Sequence, residues 1–308
     1  MRRRPSRLVT ASAAVIIAIP LVAGCEAKVY GTLPEAAGTQ LTVIAPMGTA
    51  APLPGSPPDE SAVTFDGLNA RTQQATAEAA KSGADISAAV LDRNTDRVIS
   101  NGNADPTPIA SVAKLFIADD LLLQDAKGQP QLSPDDRTAL DVMLRSSDDS
   151  AAEDFWNRGG GSAIITRVVA RYGLSSTTAP YDGHWWNTTS TTSDLVRYYD
   201  MLLQGTGGLP PERAQIIISN LSQSTPSGID GYPQRFGIPD GLFAEPVAVK
   251  QGWMCCWDGS NWMHMSTGVI GADRRYVMAI GSMQPTDDST ARNTITQAVK
   301  TMFPGGRV

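Results

Sequence analysis

Pro108-Ile-Ala-Ser111-Val-Ala-Lys114-Leu-Phe-Ile-Ala118 opens an apolar helix directly after a predicted β-hairpin and holds the chain's one Ser-x-x-Lys. Residues i and i+3 share a helix face, so the Lys114 amine can approach the Ser111 hydroxyl. A serine on a first helical turn also sits among unpaired backbone N–H groups, which can hold an oxyanion. Serine becomes a nucleophile only beside a base. With two histidines and no Gly-x-Ser-x-Gly, a Ser-His-Asp hydrolase fits poorly.

The neighbouring segments give the frame. Ser61–Ser82 has helical character with Gly83 as a C-terminal stop. Ile86–Leu91, a turn at Arg93-Asn-Thr-Asp96 and Arg97–Ser100 form the hairpin. Helices follow at Ser111–Leu123, from Ser133-Pro134 with Ser as N-cap, at Ala163–Tyr172 stopped by Gly173, at Thr192–Leu203 and at Pro211–Leu221. Strands return at Pro246–Trp253, Trp262–Ile270 and Arg275–Ser282, and a helix over Asp287–Phe303 closes the chain. Strands and helices do not alternate, so a parallel doubly wound sheet is not expected. The order predicts an α+β fold: an antiparallel sheet built from both chain ends, with a helical block over about 113–205 inserted.

The 308-residue chain is 42% hydrophobic with net charge −6, enough for a sizeable core. Arg2, Arg3, Arg4 and Arg7 are unbalanced by any acid in the first 24 residues, so the remainder is more acidic still. Such a body lacks the electrostatic footprint of a nucleic-acid binder. Two histidines and three cysteines exclude a histidine-rich metal centre, a four-cysteine zinc site and a dense disulfide framework, and no metal or other cofactor is expected. Residues 1–24 read as an export signal, with a basic start and an apolar stretch over Leu8–Val22 too short and broken to span a membrane. Val22-Ala-Gly-Cys25 is similar to a bacterial lipobox. Cleavage before Cys25 and lipidation of its sulfur would tie the protein to the outer face of the cytoplasmic membrane. Residues 25–60, rich in Pro, Gly, Ala and Thr, read as a tether, and residues 61–308 as one folded, monomeric domain.

Two further motifs follow in order: Ser147-Asp148-Asp149 after a helix, and Lys250-Gln251-Gly252 on a strand near the C-terminus. Ser-x-x-Lys, Ser-Asp-Asn and Lys-Thr-Gly occur in this order in serine β-lactamases and penicillin-binding D-Ala-D-Ala peptidases, which the folded part resembles over essentially its whole length. Thr191-Thr-Ser-Asp-Leu195 is similar to the helix start after that family's Ω-loop, and Gly237-Ile-Pro-Asp-Gly241 to its approach to the lysine strand. The resemblance implies an α/β/α sandwich with an inserted all-α subdomain. It also implies Ser111 as acylated nucleophile, Lys114 as base, Ser147 as proton relay and Lys250 as carboxylate holder. The backbone N–H groups of Ser111 and Trp253 would form the oxyanion hole. A peptidoglycan-like peptide or another acyl ligand is the implied partner.

Three departures bear on activity. Asp149 stands where the family has asparagine, which loses a donor and adds a charge that favours a protonated Lys114. Gln251 replaces a small hydroxyl residue and is expected to fill the carboxylate pocket. No glutamate lies between Glu153 and Glu212, and Asp182 is the one carboxylate in the 174–187 loop, as either a deacylation base or a turn residue. Ser147 taken alone also reads as a helix N-cap, and Lys250 as a surface strand residue. Trp253, Trp257 and Trp262 surround the lysine strand and Trp185-Trp186 lie in the loop, either as a cleft mouth or as packing. Cys255 and Cys256 are either free thiols or a vicinal disulfide. Two functional readings stand: a lipid-anchored serine acyl-hydrolase with weak or no β-lactamase turnover, and a catalytically inactive binding protein on the same fold.

Overall fold

A computed structural model describes residues 65–308 apart from Pro130. The export signal, Cys25, the tether and the first residues of the predicted opening helix lie outside the described residues. The helix α1 (Phe65–Lys81) leads into a hairpin of β1 (Asp85–Asp92) and β2 (Arg97–Ser100), close to its predicted bounds. Two-residue strands β3 (Thr107–Pro108) and β4 (Thr189–Ser190) pair with each other. Between them lie α2 (Lys114–Ala126), α3 (Pro134–Ser146), α4 (Asp149–Arg158) and α5 (Ala163–Tyr172). Then come α6 (Thr192–Gln204), α7 (Pro211–Leu221), the single turn α8 (Ile238–Gly241), β5 (Val247–Trp257), β6 (Asn261–Ile270), β7 (Tyr276–Gln284) and α9 (Asp288–Met302).

The sheet order is β2-β1-β7-β6-β5 with every pairing antiparallel, so the first and last strands of the chain meet at its centre. Val90 faces Met278 and Lys250 faces Thr267 across the ladders. Side chains alternate between the two sheet faces, and each face is covered. On one side Ile86, Ala88, Val90, Met278 and Ile280 pack with α1 and α9 residues such as Leu68, Ile295 and Val299. On the other, Ala89, Leu91, Met265 and Ala279 pack against the helical block, including Phe116, Tyr198 and Tyr199. This is the expected sandwich. α7 packs on α2 and α3, which extends the helical layer to Leu221.

Local signals explain most boundaries. Ser133 and Asp136 form a reciprocal capping box with Pro134 on the first turn of α3. Gly173 closes α5 in the left-handed region. α2 is apolar but carries three buried aspartates, and each meets an arginine: Asp119 with Arg171, Asp120 with Arg167 at 2.6 Å, Asp125 with Arg213 at 2.7 Å. Buried carboxylates without such partners would be costly. These pairs fasten α2 to α5 and α7.

Candidate active site

Three segments converge on one point. Ser111 lies in a 3-10 turn, Ala110–Ala113, ahead of α2 rather than inside the single predicted helix. Ala110 takes φ 43°, an unusual value for a residue with a side chain. Ile109 N–H donates to Thr188 O at 3.0 Å, and β3–β4 ties this turn to the loop that precedes α6. The second segment is the α3–α4 junction. Ser147 ends α3 in the left-handed conformation, φ 59° and ψ 38°, and Asp148 caps α4 by accepting from Ala151 N–H. Ser147 is therefore not an N-cap, contrary to one sequence expectation, because Asp148 takes that role. The third is β5, which carries Lys250, 1% exposed and not a surface strand residue.

Lys114 Nζ is the hub. It lies 2.9 Å from Ser111 Oγ, 2.7 Å from Ser147 O, 3.0 Å from Ser147 Oγ and 2.5 Å from Asp149 Oδ1. Lys250 Nζ donates to Ser147 Oγ at 2.9 Å and to Gln251 O at 3.3 Å. Ser147 Oγ therefore stands between two amines. Ser147 O and ionised Asp149 can only accept, so a neutral Lys114 amine would give its two N–H bonds to them. Its lone pair then faces the hydroxyls of Ser111 and Ser147. Burial pulls the Lys114 pKa below the ordinary lysine value, and the nearby carboxylate of Asp149 only partly offsets this. Asp149 acts in the expected direction, favouring the protonated lysine, but desolvation is the larger influence. Burial, reinforced by the charge of Lys114, pushes Lys250 well below the ordinary value.

Gly252 is dictated by contact. A Cβ there would come 2.3 Å from Ile109 O and 3.3 Å from the Ser111 nitrogen, so β5 runs backbone-to-backbone past the serine turn. Gln251 does not fill the cleft. It is 1% exposed, and its Nε2 donates to Gln234 O at 3.0 Å and Phe236 O at 2.5 Å. Strand alternation turns it to the face opposite Lys250, where it ties β5 to the segment leading to α8.

Reasoning from sequence named Trp185, Asp182 and Trp253 but missed the partners Glu153, Tyr232, His264 and Asp288. Trp185 is buried, its ring 4.7 Å from Lys114 Nζ, and its Nε1 donates to Glu153 Oε2 at 3.2 Å. Asp182 is exposed and accepts from His184 N–H at 3.1 Å and Asn187 Nδ2 at 2.6 Å, so it serves its own loop. Trp253 is half-buried and stacks on Tyr232 with centroids 4.5 Å apart and planes at 7°. The Tyr232 hydroxyl meets Asp288 and His264 Nε2, the latter at 2.7 Å, and His264 is the cross-strand partner of Trp253. No local pattern could have found this cluster, since its members come from a loop, β6 and α9. Cys255 and Cys256 form a vicinal disulfide across a cis peptide where the β5–β6 register shifts. Among the described residues no group of three or more His, Cys, Asp or Glu could hold a metal ion.

The chain is 59% identical to the lipoprotein LppW of Mycobacterium tuberculosis and to that of Mycobacterium bovis, over 100% of both sequences in each case. It belongs to the LppW lipoprotein family. No family model matches the chain. Among solved structures it resembles a β-lactamase from Chitinophaga pinensis, with TM-score 0.62 and 15% identity over 76% of this chain and 98% of that one. It also resembles PBP-A, with TM-score 0.63 and 18% identity over 78% and 95%. These likenesses show the serine β-lactamase-like fold of this LppW relative. Among its described residues no helix is long and apolar enough to cross a membrane.

Proposed function

We propose that the protein is a serine acyl-hydrolase held at the outer face of the cytoplasmic membrane by a lipid on Cys25. The observation that carries the reading is the buried Ser111–Lys114–Ser147–Lys250 chain, with each hydroxyl within 3.0 Å of a lysine amine. Ser111 Oγ attacks the carbonyl carbon of an ester or amide, and its proton passes to the Lys114 lone pair. The tetrahedral oxyanion is held by the backbone N–H groups of Ser111 and Trp253. As the C–O or C–N bond breaks, the proton moves from Lys114 through Ser147 to the leaving group, and Lys250 holds Ser147 in line. Water later hydrolyses the acyl-enzyme. Related chemistry is on view in one structural neighbour, a PBP-A variant captured as an acyl-enzyme with penicillin G.

The second step is expected to be slow. The Asp182 carboxylate is engaged within its own loop, and Trp185 occupies the side of Lys114 nearest that loop. β-Lactam turnover is accordingly expected to be poor and acylation long-lived. Asp149 favours the rival reading, a binding protein that kept the fold, because a carboxylate there accepts but cannot donate to a substrate carbonyl.

The decisive measurement is intact-mass spectrometry after incubation with a reactive β-lactam, an activated ester and a fluorophosphonate. A covalent adduct on Ser111, absent from Ser111→Ala, supports acyl transfer. No adduct with any of the three supports the binding protein. Lipidation is tested separately: detergent-phase partitioning lost in Cys25→Ala supports the anchor, and an unmodified mature N-terminus refutes it.

A further inference from the structure

Beyond the nucleophile, the cleft has a consistent electrostatic character. The carboxylates acting on the two lysines are Asp149 and Asp230, with Asp148 added for Lys114. Lys250 Nζ is buried and already bonded to Ser147 Oγ and Gln251 O, which leaves it at most one donor for a ligand's carboxylate. Asp149 is different: Lys114 beside it is fully buried, while the Asp149 side chain is 74% exposed at the mouth. Asp230 is exposed in the loop whose Ile229 N–H donates to Ser146 O at 2.7 Å, next to Ser147. A donor carrying a carboxylate next to its scissile bond would meet negative charge from two sides.

Beside Asp149 an open groove of about 510 Å³ runs along α4. Glu153 and Asp154 form one wall, Trp185 and Trp186 the other, and none of the lining residues is cationic, though Asp154 pairs with Arg158 at 2.9 Å and His184 stacks on Trp186. Trp186 is half-buried and stands edge-on to Trp185 at 88°. Glu153 is held in place from both sides, by Trp185 Nε1 and by Asn157 Nδ2 at 3.1 Å. Aromatic rings beside fixed carboxylates bind an ammonium through both cation–π and Coulomb attraction, and give a neutral alkyl group only contact.

Building on the acyl-transfer reading, we infer that the substrate is a cationic acyl donor. Its scissile carbonyl lies at Ser111, no carboxylate adjoins it, and an ammonium group on the acyl side occupies the groove between α4 and Trp185–Trp186. The carboxylates of Asp149, Asp230 and Glu153 are then what selects it. The covalent step is the one already given: Ser111 Oγ gains the acyl group and the leaving group departs with the serine's proton.

The test uses three activated phenyl esters of equal chain length ending in trimethylammonium, tert-butyl or carboxylate. The first two differ in charge at nearly constant shape. Second-order acylation of Ser111 is read by mass spectrometry. The ammonium ester should react about ten-fold faster than the tert-butyl ester, the carboxylate ester more slowly than either, and the spread should shrink in high salt. Glu153→Gln and Asp230→Asn should each move the ammonium-to-tert-butyl ratio toward one. Acylation with equal rates, or with the carboxylate ester fastest, overturns the inference and leaves acyl transfer standing. If no ester acylates Ser111, acyl transfer fails instead. Calorimetric binding of the matching non-hydrolysable ketones then decides: tighter binding of the ammonium compound than of the tert-butyl compound upholds the cationic groove, and equal or absent binding overturns it.

Discussion

Replacing Asp149 by asparagine separates two effects that the structure joins in one side chain. The carboxylate lies 2.5 Å from Lys114 Nζ, and its side chain is 74% exposed. Exposure argues for the fully screened limit. Even there, opposite charges at that separation attract by about 1.7 kcal/mol, equivalent to a little over one pKa unit on the lysine. Burial already draws that pKa down, so removing the charge lowers it further and raises the fraction of free amine about ten-fold wherever the amine is still mostly protonated. The expected outcome for Asp149→Asn is a Ser111 acylation rate about ten-fold higher near neutral pH, with the alkaline rise of the pH–rate profile moved down by about one unit. The gain from charge should vanish on the high-pH plateau. Any excess that persists there measures the restored donor, which in other acyl-transfer sites is worth about 3 kcal/mol. The assay is the second-order acylation rate by mass spectrometry between mildly acid and alkaline pH. A slower variant, or an unmoved profile, would refute the reasoning and make Asp149 a working part of the site.

Gly252→Ala forces a Cβ to 2.3 Å from Ile109 O, so β5 must retreat from the serine turn; acylation should fall at least about a hundred-fold while the fold survives, and an unchanged rate would dissociate β5 from the chemistry. His264 is buried, and burial pushes its pKa down to about 4 against the opposing charge of Asp288. An unfolded histidine binds its proton near pH 6.5, so stability should fall as pH drops from there toward about 4, by about 2 kcal/mol at pH 5. His264→Gln should flatten that slope in thermal melts, and an equal slope would remove His264 as its source. Asp119→Ala leaves the partly buried guanidinium of Arg171 without its carboxylate, with an expected cost of about 3–5 kcal/mol and a melting temperature lower by about 10 °C. A loss under about 1 kcal/mol would show that the pair contributes little beyond its packing.

Local chemistry in the sequence was enough for much of this protein. The i, i+3 spacing of Ser111 and Lys114 put both on one face, and their groups do meet at 2.9 Å. Ser133-Pro134 marked the start of α3, Gly173 the end of α5, and the hairpin followed from its apolar runs and turn. These signals act within a few residues, where capping, backbone conformation and periodicity dominate. Alternation along β5 also carried more than was read from it, since neighbours on a strand face opposite ways and Gln251 could not share the cleft with Lys250. The helix α4 has little local signal of its own, because its cap, Asp148, follows directly on the left-handed Ser147 that ends α3. What tertiary structure alone decided is long-range. Lys250 reaches Ser147 across 103 residues of chain, Trp185 covers Lys114, and Tyr232 joins His264 and Asp288 from three separate elements. The same holds for the balance of charge around the nucleophile. Burial sets the lysines' protonation more strongly than any neighbour does, and burial belongs to the packed assembly of sheet and helices rather than to any residue's immediate sequence.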